Sequence, residues 1–345
     1  MKKKNNTAKI IGSIAFVAAV LVAAVVGVYV STFMVPNSVA SDKPINIYHT
    51  TDYAGFLKAV ENSGAVKNMK SFARAAKLKK LDETFKPGHY ELQAGLNNKQ
   101  IERVFSHGWQ TPVKLVVKAN VRDLGRMASL LGKQLEADST AIMEAICDRQ
   151  IMEAHGFNPQ TYLAMFVPDT YEVYWTITPL QLLDRLDKEY KAFWNDSRRA
   201  KAREAGLTPM QATTLASIVI EETKYEPEMP TIAGVYINRL RKGMLLQADP
   251  TVKYAVNDPT LKRILNVHLQ VDSPYNTYRH PGLPPGPITT PPKVAVDAVL
   301  GYQHHNYLYF CADASFNGRH RFATNLSEHM SNARRFHAAM DARGK

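Results

Sequence analysis

Cysteine is scarce in this chain, in which Cys147 and Cys311 are the two cysteines among 345 residues. Two cysteines do not make a disulfide framework, although they could pair in an oxidising compartment. The sequence also lacks the HExxH, CxxC, GxSxG, GxGxxG and P-loop patterns. The sequence therefore has none of the usual signatures of a catalytic zinc site, a serine hydrolase or a nucleotide cofactor site. We therefore expect neither a metal nor a cofactor.

Charge is missing from one stretch near the N-terminus, Ile10 to Ser41, which Lys2, Lys3, Lys4 and Lys9 precede. About 20 apolar residues suffice to cross a bilayer, and flanking lysines favour the cytoplasmic side. We predict a cytoplasmic tail at 1–9, a transmembrane anchor at 10–36 and the remaining chain outside the cytoplasmic membrane. The alternative is a signal peptide cleaved after Ser38-Val39-Ala40, but the apolar stretch is longer than usual for one.

Positive charge dominates the remainder of the chain. The formal net charge is +12, and 39 basic against 31 acidic residues remain outside the first 36. Such an excess favours an anionic polymer or surface as the partner. The basic residues are dispersed and no nucleic-acid motif is present, so we expect no nucleic acid as a partner.

Residues 44–117 read as a small α/β subdomain that follows a polar linker at Asn37 to Pro44. Alternation and helical periodicity predict short elements that alternate along the chain. Strands are expected at Ile45–Tyr48 and Val113–Val117, and a turn entering a strand at Phe85–Leu92. The helices are expected at Tyr53–Asn62, Lys67–Leu78 and Asn97–Phe105. Nothing here resembles a reaction centre, and we expect a binding or spacer role.

Residues 118–345 form the larger predicted domain, which is mainly helical, with its core at 166–336. Two apolar strands, Tyr307–Ala312 and His320–Ala323, flank Asn317-Gly318 and predict a C-terminal β-hairpin. Asn325 followed by Glu328 predicts the start of a last helix. The expected fold class is therefore α+β.

The helix that contains Glu222 is the main candidate for chemistry. At helical spacing Glu222 shares a face with the apolar Leu215, Ile218 and Val219, whereas Glu221 points to a more polar side. Partial burial and a position in the last turn both favour a protonated carboxyl. A carboxylic acid that is neutral near pH 7 suits general acid catalysis. The alternative is a structural Glu at the rim of a core helix.

Loops rich in amides, hydroxyls and prolines follow this helix. Gln247, Asn276 and Tyr278 suit hydrogen bonds to sugar hydroxyls, and Pro281 to Pro292 holds six of the 19 prolines. Loop-bracing hydrogen bonds are the structural alternative for all three side chains. For Asp249 we expect a helix-capping role before Pro250.

Several motifs occur in the order found in one known family. They are Leu215-Ala216-Ser217-Ile218-Val219 with Glu222-Thr223, Val235-Tyr236-Ile237-Asn238-Arg239-Leu240, Leu246-Gln247-Ala248-Asp249-Pro250-Thr251-Val252, Tyr275-Asn276-Thr277-Tyr278 and Gly282-Leu283-Pro284-Pro285-Gly286-Pro287-Ile288. The sequence strongly resembles the membrane-anchored endolytic peptidoglycan transglycosylases of the MltG (YceG-like) family over roughly residues 40–340. By position, residues 44–117 correspond to the family's LysM-like subdomain, and 118–345 to its catalytic domain.

This resemblance implies a lyase that cuts the bond between N-acetylmuramic acid (MurNAc) and N-acetylglucosamine (GlcNAc) in nascent glycan strands and leaves 1,6-anhydro ends. The family's catalytic Glu precedes a Thr, which maps onto Glu222-Thr223, and Gln247, Asn276 and Tyr278 become candidate substrate-binding residues. Many members carry another Glu where this chain has Ile220. The implied partners are peptidoglycan, the cytoplasmic membrane and peptidoglycan synthases. A muramidase that uses water and a non-catalytic wall-binding scaffold are the alternatives.

Overall fold

The computed structural model describes residues 2–258, 260–261 and 263–344, and side chains from Lys9 onward. Met1 and Lys345, the ends of the predicted tail and catalytic domain, lie outside the described residues. The chain divides into two compact units. One contains Met1–Lys114 with Glu172–Ile177, and the other contains Leu115–Tyr171 with Thr178–Lys345.

A long apolar helix, α1 (Lys2–Phe33), opens the chain. Its segment Lys9–Phe33 has 25 residues and a mean hydropathy of 2.7. Side chains from Ile10 to Ser31 are exposed rather than packed in a protein core. By length and composition this helix can cross a bilayer, as predicted.

The stretch after α1 differs from the predicted polar linker, because its first residues are buried. The N–H groups of Asn37 and Ser38 donate to Leu96 O at 2.8 and 3.0 Å. The Asn37 side chain donates to Asn98 Oδ1 at 2.7 Å, and the Asn98 amide donates to Thr32 O at 2.7 Å. Polar side chains here satisfy buried backbone groups, so the end of α1 is tied into the first unit.

The first unit has a two-stranded sheet covered by helices. Its elements are β1 (Ile45–Ile47), α2 (Tyr53–Ser63), α3 (Met69–Leu78), α4 (Leu81–Thr84), β2 (Gly88–Tyr90) and α5 (Asn98–His107). The strands β1 and β2 are antiparallel, with Ile45 opposite Tyr90. Phe56, Phe72 and Phe105 fill the core between the sheet and the helices. Order and spacing of these elements follow the predicted periodicity.

The rest of the chain is mainly helical. Its helices are α6 (Leu124–Gly132), α7 (Ser139–Cys147), α8 (Arg149–Ala154), α9 (Pro179–Phe193), α10 (Asp196–Ala205), α11 (Pro209–Glu222), α12 (Met229–Arg241), α13 (Asp249–Val256), α14 (Lys293–Leu300) and α15 (Leu326–Asp341). The strands outside the β1–β2 sheet are β3 (Val113–Val117), β4 (Asp169–Val173), β5 (Tyr309–Ala312) and β6 (His320–Ala323), of which β3 and β4 each include residues of both units. Strand β3 pairs with β4, and β5 pairs with β6 in the predicted antiparallel hairpin.

Helix α11 lies at the centre of the second unit, and its side chains from Ala212 to Ile220 are buried. Thr208 and Gln211 form a capping box at its start, and Pro209 occupies the first turn. The buried Ser217 hydroxyl accepts a 3.0 Å hydrogen bond from Ile288 N. This bond fixes the proline-rich loop against α11.

Candidate active site

Glu222 is the last residue of α11, at the wall of a cavity of about 390 Å³. The helix ends there because Thr223 adopts an extended conformation, with φ −142° and ψ 142°. The Glu222 side chain is half-buried. The cavity is lined by Glu222, Tyr236, Arg239, Leu246, Gln247, Asp249, Tyr278, Tyr309, Phe310, Leu326, His329 and Met330. We call it the glutamate cavity.

Helix α12 supplies a direct partner of the carboxyl. The buried Tyr236 hydroxyl donates to Glu222 Oε1 at 2.6 Å. One turn later, Arg239 donates from Nε to Leu308 O at 2.6 Å and from Nη1 to Leu246 O at 2.9 Å. The Arg239 guanidinium thus fixes two segments against α12: the loop before Gln247 and the residues just before β5.

The environment of Glu222 raises the pKa of its carboxyl to about 7. Burial is the main cause, because a half-buried site disfavours the charged form. The hydrogen bond from Tyr236 opposes this by stabilising the carboxylate, whereas the negative charges of Asp249 and Glu221 raise the pKa further. The carboxyl can therefore both donate and accept a proton near neutral pH.

Tyr278 and Asp249 form a second polar pair in the glutamate cavity. The Tyr278 hydroxyl donates to Asp249 Oδ1 at 2.6 Å. The predicted capping role of Asp249 is wrong. Helix α13 starts at Asp249 itself, the preceding Ala248 is the N-cap, and no side chain caps the helix. The carboxylate of Asp249 faces the cavity instead of the helix.

Gln247 lines the cavity from a left-handed backbone conformation, with φ 49°. Its N–H donates to Thr277 O at 3.1 Å, and its Oε1 accepts from Arg239 Nη1 at 3.3 Å. Such a conformation is uncommon for a residue other than glycine, and strained residues of this kind tend to cluster at functional sites. These contacts hold the Gln247 side chain in the same cavity as Glu222 and Tyr278.

Asn276, the third candidate substrate-binding residue, is fully buried and does not line the glutamate cavity. Its amide donates to Leu269 O at 2.9 Å and Val271 O at 2.8 Å. Its Oδ1 accepts from Tyr278 N at 3.0 Å. These contacts are the loop-bracing hydrogen bonds of the structural alternative. Asn276 contributes to the cavity by fixing the backbone of Tyr278.

Glu221 lies apart from the glutamate cavity, as its helical phase predicts. Its carboxylate forms an ion pair with Arg122, and its side chain is 15% exposed. The two adjacent carboxyls therefore differ in their surroundings: Glu221 is paired with the Arg122 cation, and Glu222 accepts a hydrogen bond from Tyr236.

Among the lining residues that were not predicted from the sequence as site residues are Tyr236, Arg239 and His329. Tyr236 and Arg239 are spaced three residues apart on one helix, a spacing that places them on one face. His329 lies on α15, and its Nδ1 is buried without a hydrogen-bond partner among the described residues. Nothing in the local sequence indicates that His329 reaches the cavity.

Among residues 2–258, 260–261 and 263–344, no group of three His, Cys, Asp or Glu side chains is placed to hold a metal ion. Cys147 and Cys311 are both free thiols, the former exposed.

Comparisons with known proteins identify relatives over most of the chain. A profile of the YceG-like family matches residues 45–335. The endolytic murein transglycosylase of Bacillus subtilis (strain 168) is 25% identical over 299 residues, covering 83% of this chain and 82% of that protein. A protein of the same name from Streptococcus pneumoniae serotype 2 (strain D39 / NCTC 7466) is 25% identical over 307 residues. That alignment covers 79% of this chain but 54% of the pneumococcal protein.

The fold also has a solved counterpart. A crystal structure of a yceG-like protein from Listeria monocytogenes is similar with a TM-score of 0.54 and 25% sequence identity. The similarity covers 85% of this chain and 99% of that chain.

Proposed function

The chain belongs to the YceG-like family, and from that premise we propose that it is an endolytic murein transglycosylase. The reaction is cleavage of the MurNAc–GlcNAc bond within peptidoglycan strands, which leaves 1,6-anhydro-MurNAc ends. The observation that carries the proposal is Glu222, a half-buried carboxyl of pKa about 7 in a cavity lined by hydroxyl and amide groups. The names of the Bacillus and Streptococcus relatives support the same reaction.

In the first step, protonated Glu222 donates its proton to the glycosidic oxygen. The bond from C1 of MurNAc to that oxygen breaks, GlcNAc leaves with a free 4-hydroxyl, and positive charge develops at C1. The raised pKa supplies the proton near pH 7, and Tyr236 stabilises the resulting carboxylate through its hydrogen bond. The Asp249 carboxylate, in the same cavity, stabilises the developing positive charge.

In the second step, the C6 hydroxyl of the same MurNAc attacks C1. Its oxygen forms the new bond, and its proton returns to Glu222, which regenerates the acid. No water is consumed, so a second catalytic carboxyl is not required. One group acts as acid and then as base, a dual role that a pKa near the working pH favours.

Gln247 and Tyr278 are the proposed contacts to the sugar. Both line the glutamate cavity. Gln247 accepts a hydrogen bond from Arg239, and Tyr278 donates one to Asp249, so both side chains are held in place. Rigid amide and hydroxyl groups of this kind suit the acetamido and hydroxyl groups of an amino sugar. Asn276 contributes by fixing the backbone of Tyr278.

A hydrolytic muramidase is the second candidate, and Asp249 is the observation that favours it. Two carboxyls in one cavity are the usual equipment of glycosidases that use water. In this alternative, C1 is attacked by a water that Asp249 activates, or by the Asp249 carboxylate itself, and not by the C6 hydroxyl of the sugar. A non-catalytic scaffold is the third reading, in which Glu222 has no chemical role.

The cellular setting follows from α1 and the first unit. We propose that α1 anchors the protein in the cytoplasmic membrane with its N-terminus inside and both units outside. Cleavage beside the membrane would end the elongation of strands that peptidoglycan synthases are extending, and these synthases are proposed partners. The antiparallel β1–β2 pair with two intervening longer helices supports a LysM-like identity for the first unit.

The product's reducing end tests the proposal. The full-length protein in detergent is incubated with uncrosslinked glycan strands, and the fragments are examined by mass spectrometry. Anhydro ends, lighter than hydrolytic ends by one water, are expected. Hydrolytic ends would instead identify the muramidase, and intact strands with wild-type protein would support the scaffold.

A further inference from the structure

A second cavity, of about 650 Å³, opens beside Glu222 and is formed largely by the tip of the β5–β6 hairpin. We call it the hairpin cavity. Among its lining residues are Glu222, Lys224, Tyr225, Phe316 and Arg319. Because Glu222 lines this cavity as well as the glutamate cavity, a polymer that crosses the carboxyl can occupy both.

Strand β5 connects the two cavities. Tyr309 at its start lines the glutamate cavity, whereas Ala312 at its end lines the hairpin cavity. At about 3.3 Å per residue the strand extends roughly 10 Å between these positions. The binding surface thus continues past Glu222 toward the hairpin tip. An enzyme that cuts a glycan chain internally needs such a surface, because the chain extends on both sides of the cleaved bond.

The charges of the two cavities differ. Lys224 donates to Ile220 O at 2.7 Å, and Arg319 donates to the Tyr225 hydroxyl at 3.3 Å with its guanidinium over the same ring. Within the described part of the chain, no carboxylate forms a salt bridge with either cation. The glutamate cavity instead contains two carboxyl groups, Glu222 and Asp249, together with the Arg239 guanidinium, which donates to Leu308 O and Leu246 O.

Two other titratable side chains that line the hairpin cavity, Asp313 and His320, have partners of opposite charge. Asp313 also lines the hairpin cavity, but it forms an ion pair with Arg321 and accepts from Ser315 N at 2.8 Å. His320 is bonded through Nδ1 to Glu228 at 2.9 Å. Lys224 and Arg319 therefore leave the hairpin cavity with an excess of positive charge.

The backbone of the hairpin tip is strained at one lining residue. Phe316 has φ 57°, a left-handed conformation that bulky residues rarely adopt. Its ring contacts Phe336 at a centroid distance of 5.5 Å, and Arg343 lies 4.0 Å from its centroid. Strain that the surrounding packing maintains is concentrated at ligand-binding sites. With Tyr225, the Phe316 ring gives this cationic cavity an apolar wall.

We propose that the hairpin cavity binds the acidic peptide stem of a muramic acid residue next to the cleaved bond. The inference rests on the proposed function and adds a determinant of substrate choice. A peptide stem carries free carboxylates, which Lys224 and Arg319 can pair with, and aliphatic carbons, which Tyr225 and Phe316 can cover. Strands that retain their stems are then preferred over bare glycan.

Binding to an inactive protein tests this subsite independently of cleavage. Full-length Glu222→Gln protein in detergent is titrated with a stem-bearing tetrasaccharide and with the same tetrasaccharide after an amidase has removed the peptides. We expect about tenfold tighter binding of the stem-bearing ligand. Raising NaCl from about 50 to 500 mM should reduce the ratio of the two affinities, because salt screens the ion pairs.

Added substitutions locate the effect. Arg319→Gln and Lys224→Gln, each combined with Glu222→Gln, should lower the affinity ratio about three- to tenfold, whereas Arg319→Lys should retain most of it. Arg335→Gln, at an exposed arginine of α15 outside the cavity lining, is the matched control and should leave the ratio unchanged. Thermal melts identify any variant that has lost its fold.

Equal affinities for the two ligands, or a ratio that neither Gln substitution alters, would overturn the subsite. Failure of the proposed function is seen separately, as absence of strand cleavage by wild-type protein. The affinity ratio remains measurable in that case, because the titration does not depend on catalysis.

Discussion

Tyr236 on α12 donates a 2.6 Å hydrogen bond to Glu222 Oε1 at the end of α11. Burial holds the pKa of Tyr236 well above its usual value, so its hydroxyl remains a donor at any working pH. The bond stabilises the ionised form of Glu222 and opposes the effect of burial on the same carboxyl. The bond from Tyr236 thus limits a pKa that burial and the charges of Asp249 and Glu221 raise to about 7.

Tyr236→Phe removes this donor and should raise the pKa of Glu222. A hydrogen bond to a charged group contributes about 1.5–3 kcal/mol, so the shift should be about one to two pH units. The alkaline limb of kcat/KM against pH, which reports the free enzyme's acid, should move upward. Strand cleavage measured from pH 5 to 9 checks this. An unmoved limb would show that a different group supplies the proton.

Asp249→Asn is expected to move the same limb in the opposite direction. The negative charge of Asp249 raises the pKa of Glu222, so its removal should lower that pKa and shift the limb downward. Asn retains an oxygen that can accept from Tyr278, which keeps the geometry. Activity at pH 5.5 should fall less than at pH 8. A limb that stays in place would show that the charge of Asp249 does not act on Glu222, whereas hydrolytic ends among the wild-type products would favour the hydrolytic role of Asp249.

Glu222→Gln should lower the rate of strand cleavage by at least about 10²–10⁴-fold, the usual contribution of general acid catalysis. Glu221→Gln is the matched control. It removes the charge that pairs with Arg122 and that adds to the raised pKa of Glu222, but it leaves the Glu222 carboxyl and its bond from Tyr236 in place, so activity should remain within a few-fold of wild type. Release of anhydro-muropeptides measures both. A folded Glu222→Gln protein that retained wild-type activity would contradict the proposed mechanism.

The stability of Glu222→Gln should depend on pH with a definite sign. The folded-state pKa of Glu222, about 7, lies above the ordinary value of 4.5 for Glu. Between these values the folded protein binds more protons, so wild-type stability falls as pH rises. Gln does not titrate. The Tm of Glu222→Gln relative to wild type should therefore increase from pH 5 to pH 8, and a constant difference would contradict the raised pKa.

Asn276→Ala should affect stability more than chemistry. It leaves the partly buried carbonyls of Leu269 and Val271 and the N–H of Tyr278 without their partner. The expected loss is about 2–4 kcal/mol in the free energy of unfolding, measured with urea. Gln247→Ala, which alters the cavity lining, should instead reduce kcat/KM with little change in stability. The reverse pattern would make Asn276 a direct sugar contact.

Local sequence patterns were sufficient for the main features of the site. The helical phase of Glu222 against Leu215 and Ile218 predicts which of two adjacent carboxyls faces the cavity. The Asn317-Gly318 turn between two apolar strands predicts the hairpin. In both cases residues a few positions apart determine the outcome, and tertiary contacts add to the local preference.

Features that depend on distant partners were not predictable in the same way. Asp249 resembles a helix cap, but its carboxylate accepts from Tyr278, a residue of a separate loop. Asn37 resembles a linker residue, but Asn98 and Leu96 bury it. Helix α14 directly follows two prolines and was not predicted. The polar side chains can be read from a single sequence, but which of them form hydrogen bonds with residues far away in the chain cannot.

The proposed membrane topology rests on α1 and on the lysines that precede its apolar segment. Alkaline phosphatase fused after residue 345 should be active, because the enzyme matures only outside the cytoplasm and the lysines at 2–4 favour an internal N-terminus. Sequencing the N-terminus of the membrane-bound protein separates an anchor from a signal peptide. The buried contacts of Asn37 and Ser38 with Leu96 give an additional reason to expect an intact chain, since they place the possible cleavage region inside the first unit. An inactive fusion would reverse the orientation, and a mature N-terminus at Ser41 would exclude the anchor.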